Sequence, residues 1–92
     1  MIGVVYVEVF IYEAQSLKDK RSVLKSMTTR LKQRLNVSVA EIAHQDVWQR
    51  AEVAIVTVAS EKKVAEKELQ RALALIDGIQ ALERTVTNYE WL

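Results

Sequence analysis

The sequence predicts one α+β domain with its elements in the order βαββαβ. Two patterns carry that reading. Apolar residues alternate with period two in two stretches, a third is apolar almost throughout, a fourth is rich in Thr, Val and aromatics, and in two others apolar residues recur at three- and four-residue steps. A chain of 92 residues, 50 % apolar and 27 % charged, supplies one core and is too short for two.

Residues 2–12 give the first strand. Val5, Val7, Val9 and Ile11 make one face, which should meet the core; Val4, Tyr6, Glu8, Phe10 and Tyr12 make the other, open to solvent or a partner. Ser16 and Asp19 have the spacing of a capping box and open a helix over residues 17–35. Its apolar face is Leu24, Met27, Leu31 and Leu35, and Asn36 is the candidate left-handed stop. Residues 36–43 return to alternation, and residues 44–49 form a polar connection holding Val47 and Trp48. Residues 51–59, apolar almost throughout, read as a central strand. Ser60 is the candidate N-cap of the second helix, with Glu61 in its first turn. The stripe Ala65, Leu69, Ala72, Leu73 and Ile76 follows, then Gly78 at the C-cap position. Residues 82–91, rich in Thr, Val, Tyr and Trp, close the chain as a fourth strand. Right-handed crossovers then favour a ferredoxin-like plait, a four-stranded antiparallel sheet with both helices on one face.

Charge is the most informative feature. Residues 18–34 hold seven of the thirteen basic residues and one acid, a net +6 inside a chain whose total is +1. A local excess of one sign recruits partners of the other sign. At 100° per residue, Lys18, Arg21, Lys25 and Lys32 share an arc of about 60° beside the apolar face, with Arg30 and Arg34 on the opposite flank. The candidate nucleic-acid-binding set is Lys18, Lys20, Arg21, Lys25 and Lys32, joined by Trp48 and Arg50 as a stacking clamp. Trp48 serves equally well as a residue that pins its loop to the core. The apolar side of this helix is needed for the core and lacks aromatic anchors, so no membrane role is expected.

Tyr6, Phe10 and Tyr12 form a second candidate surface, read as a dry aliphatic-aromatic face for a homodimer or another protein. Glu8 in its middle wants Arg84, Arg50 or water. An RNA-recognition motif shares the element order and stacks bases on sheet aromatics, yet the third strand here, AEVAIVTVA, lacks that motif's basic and aromatic residues.

Catalysis is poorly provided for. The sequence has no cysteine and one histidine, so neither a disulfide framework nor a zinc site is expected, and no cofactor. His44 and Asp46 read as turn residues bonding to backbone. With two glycines, Gly3 and Gly78, there is no glycine-rich phosphate loop, and no small-molecule substrate is expected. The opening MIGVVYVEVFIYEA has no basic n-region and carries Glu8, unlike a signal peptide. A cytoplasmic protein that is not an enzyme is the expectation.

Three stretches together, MIGVVYVEVFI, SLKDKRSVLKSMTTRLKQRLNVSVAEIAHQDVWQRA and VTVAS, resemble the YlxP-like family, a small bacterial family of undetermined function. The recognisable positions are Ser16, Leu17, Lys18, Lys20, Arg21, Asn36, Ser38, Glu41, Asp46, Trp48, Gln49 and Arg50. The resemblance implies a ferredoxin-like fold and supplies no catalytic residues. Its members are often encoded near translation-initiation and ribosome-maturation factors, which implies RNA or the ribosome as partner.

Overall fold

The computed structural model describes residues 1–92, and its elements come in the expected order. They are β1 (Ile2–Ile11), α1 (Leu17–Arg34), β2 (Ser38–Ala43), β3 (Arg50–Val58), α2 (Lys62–Asp77) and β4 (Leu82–Trp91). The sheet order is β2-β3-β1-β4, and every neighbouring pair is antiparallel. This is a ferredoxin-like arrangement, with α1 and α2 over one face. No helix is long and apolar enough to cross a membrane.

Period-two alternation sends Val5, Val7, Val9 and Ile11 of β1, with Ala51, Val53 and Ile55 of β3, under the helices, all buried. Leu24, Met27 and Leu31 of α1 meet them from above, as do Ala65, Leu69, Ala72, Leu73 and Ile76 of α2. Burying each large aliphatic side chain contributes about 1.5–3 kcal/mol, so this layer holds the fold. Gly3 admits one more member. A Cβ built there would lie 2.5 Å from Cζ3 of Trp91, so only a glycine lets the indole lie across β1. Trp91 stacks on Tyr89 at 6.4 Å and carries the Lys62 ammonium 5.1 Å from its ring centre.

Several local expectations change. Asn36 is not left-handed; α1 ends through Leu35, whose N–H donates to the Leu31 carbonyl. The Asn36 backbone is held from outside instead. Its N–H donates to Glu68 Oε2 at 2.8 Å, and its carbonyl accepts from Thr57 Oγ1 at 2.6 Å. The N-cap of α2 is Glu61 and not Ser60, with no side-chain cap bond. Gly78 does cap α2, in a right-handed conformation (φ −84°) where its N–H reaches back to Ala74. Ser16 caps α1 as expected, accepting from the Asp19 N–H at 3.1 Å while Asp19 Oδ2 accepts from the Gln15 N–H.

Candidate nucleic-acid interface

The cations of α1 divide into one that is internal and six that are free. Lys20 is 1 % exposed. Its Nζ lies 2.8 Å from Glu41 Oε2 and donates to the His44 carbonyl at 2.5 Å. The pair is close, yet Oε2 is buried and misses hydrogen-bond geometry, so charge holds it there. This removes Lys20 from the binding set: its charge is neutralised inside, where no phosphate can reach it. The signal was in the sequence. Lys20 precedes Leu24, Met27 and Leu31 by four, seven and eleven residues, the spacing of the core face itself. Glu41 likewise continues the alternation of Val37 and Val39 toward the core.

Lys18, Arg21, Lys25, Arg30, Lys32 and Arg34 are all exposed, and none enters an ion pair within the chain. Arg21 and Lys25 stand with Thr28 and Thr29 over a groove that separates α1 from Glu41 of β2. Arg30 lies on the other flank with Ser22 and Ser26, facing the turn after α2. The four-residue stripe therefore presents four exposed positive charges with no partner in the chain.

The hairpin between β2 and β3 abuts α1 through Lys20. His44 adopts the left-handed conformation (φ 63°), and its carbonyl accepts from the Val47 N–H at 3.0 Å to make the turn. Its imidazole does not bond to backbone. Nε2 instead sits 3.6 Å from Glu8 Oε1 and 3.4 Å from Arg50 Nη2. Asp46 is exposed in the turn. Trp48 is 51 % exposed, so it does not pin the loop to the core. Arg50 is not free to clamp with it: Nε donates to Glu8 Oε1 at 3.0 Å, and Nη2 bonds the same oxygen. Of the two arginines considered for Glu8, Arg50 is the partner. Arg84 instead makes a two-pronged bond to Asp77, at 2.9 and 2.7 Å, joining β4 to the end of α2.

The open face of the sheet is not the dry aliphatic-aromatic surface expected. Cross-strand register sets Glu52 and Val86 beside Glu8, Arg50 and Glu83 beside Phe10, and Glu90 beside Val4. Four carboxylates thus face one guanidinium. The tyrosines are drawn into this network: Tyr6 donates to Glu90 Oε1 at 2.6 Å and Tyr12 to Glu83 Oε2 at 2.8 Å. Each bond to a carboxylate holds its phenol above the usual pKa of 10.0. Arg50 acts oppositely on Glu8, holding that carboxyl below its usual 4.5. Phe10 and Tyr12 meet edge-on at 5.5 Å, the two rings bracing each other. Tyr6 and Phe10 are half-buried and Tyr12 is exposed. The missing signal was register, because Glu83 and Glu90 reach this face only through the β1–β4 pairing.

Comparison with known proteins places the chain. The designed protein Foldit4 shares the fold across the full length of both chains, with a TM-score of 0.62 at 17 % identity. The uncharacterized protein YlxP of Bacillus subtilis (strain 168) is 50 % identical over 91 residues, covering 99 % of each chain. The family model described as "Protein of unknown function (DUF503)" matches residues 2–89. With that family match and a half-identical relative of the same length, the chain belongs to the YlxP-like family of unknown function.

Proposed function

We propose that this chain is a non-enzymatic binding protein that docks on the phosphate backbone of RNA, free or in the ribosome, through the flank of α1 that borders β2. One observation carries the reading: Lys18, Arg21, Lys25 and Lys32 are aligned, exposed and unpaired within the chain. Cations so placed exchange their counterions for phosphates, which makes binding favourable and salt-sensitive. Contacts of this kind fix position without reading sequence. Trp48, half exposed in the hairpin whose His44 carbonyl is bonded by Lys20 of α1, offers an aromatic side chain for stacking on a base.

The open sheet face is a poor alternative for RNA, since its four carboxylates repel phosphate. Stacking that face on a second copy would set like charges against each other, so the homodimer reading through Tyr6, Phe10 and Tyr12 is the weaker one.

The test is co-sedimentation with RNA or ribosomes of a variant carrying glutamate at Lys18, Arg21, Lys25 and Lys32. Four phosphate contacts give a log–log salt slope of about −3 to −4, or roughly a hundredfold loss between 50 and 200 mM salt. Unchanged co-sedimentation by the variant sinks the proposal.

A further inference from the structure

The edge of the sheet beside α1 carries a feature the RNA reading does not use. β2 lies at the end of the sheet and pairs with β3 alone, so one side of its backbone has no strand partner. Edge strands are commonly guarded by charge, proline or a bulge. The other edge strand, β4, carries Glu83, Arg84 and Glu90 and a register shift opposite Glu8 and Val9. β2 reads SVAEIA, and its one charge, Glu41, is turned toward the core and engaged by Lys20. Its irregularity falls after Glu41, leaving 38–41 in regular register. Ser38 and Ala40 present only small side chains, on the open face of the sheet.

A groove of about 340 Å³ opens between α1 and the sheet beside β2, roofed by Arg21, Lys25, Thr28 and Thr29 of α1 and floored by Glu41 of β2 and Val53 of β3. We propose that the β2 edge and the α1 flank together accept an extended acidic segment of another protein, which adds as a fifth strand. The inference goes beyond RNA docking, although it shares Arg21 and Lys25 with it. Main-chain bonds to β2 would hold the segment, and alternate side chains would point at the basic flank. The spacing suits that pairing: Arg21 and Lys25 are about 6 Å apart along the helix axis, and alternate residues of a strand about 7 Å. A second copy of this chain fits worse. Pairing β2 with β2 would bring two α1 flanks together and oppose Arg21 and Lys25 with their own duplicates.

Amide hydrogen exchange of the full chain tests this, with a ten-residue peptide alternating Glu and Val as the probe and its Lys-for-Glu counterpart as control. Millimolar acidic peptide should slow alternate amides of β2 by about tenfold, and the basic peptide should not. The Arg21→Glu/Lys25→Glu variant should lose the effect, while Lys18→Glu/Lys32→Glu, which weakens RNA docking, keeps it. Failure of the two proposals is thereby distinguishable. The inference is overturned if the acidic peptide leaves β2 exchange unchanged, or if both peptides slow it equally. Slowing that needs no peptide and grows with protein concentration also overturns it, in favour of a second copy.

Discussion

Replacing Lys20 with methionine separates the one structural cation of α1 from the six on its surface. The methionine keeps an unbranched apolar stem of similar length, so the packing beside Leu24 and Met27 is retained and the ammonium is lost. Glu41 Oε2, already buried and without a hydrogen bond, then has no counter-charge. Breaking a buried pair by removing one partner costs about 3–5 kcal/mol. The Glu41 side chain is 26 % exposed, so water relieves part of that, and the lower end, about 3 kcal/mol, applies. For a chain of 92 residues this lowers the melting temperature by about 15 °C. The assay is thermal or urea unfolding of the wild type, Lys20→Met and Lys20→Met/Glu41→Leu. The double variant, which replaces both charges with apolar groups, should return to within about 1 kcal/mol of the wild type. A loss below about 1 kcal/mol in the single variant, or a double variant no better than the single, would refute the buried-pair argument.

Gly3→Ala should destabilise by about 1–3 kcal/mol by driving Trp91 off β1, seen as a lower urea midpoint and altered tryptophan fluorescence. The Arg50 bond holds the folded Glu8 carboxyl below 4.5, so its stabilisation is present above that pH and is lost as pH falls through the folded value; Glu8→Gln should flatten this acid limb in pH-dependent unfolding. Tyr6 and Tyr12 shift the other way. Their stabilisation is present below pH 10.0 and is lost as pH rises through the higher folded values, so ultraviolet titration should show two late phenols, and Glu90→Gln should make Tyr6 ionise earlier.

The fold was legible because periodicity is a local property and the core follows it. Val5 through Ile11 and Ala65 through Ile76 fall where a period of two and a period of 3.6 put them. The site is less legible because a lysine at a core position of a helix gives no local sign of whether its ammonium snorkels to solvent or is neutralised inside. Lys20 sits at a core position, and only its pairing with Glu41, itself at a core position of another strand, makes that burial tolerable. The open face is hidden for a different reason. Tyr6 and Tyr12 show as aromatics in β1, but their hydroxyls answer to Glu90 and Glu83, more than seventy residues away. Nothing local encodes that, and the register shift opposite Glu8 and Val9 makes it harder to infer. The cap of α2 moved by one residue, within the ordinary fraying of helix ends.

The molecule is 17 Å through its thinnest dimension. Physiological salt screens charge over about 8 Å. The basic flank of α1 and the acidic open face of the sheet belong to different layers of the fold, so over distances beyond about 8 Å their fields fade separately. Close to a polyanion, one side is drawn in and the other is pushed away, so the chain lands one way up. Its aromatic, carboxylate-lined sheet then looks outward into solution, and the orientation comes from the layout of charge before any specific contact forms.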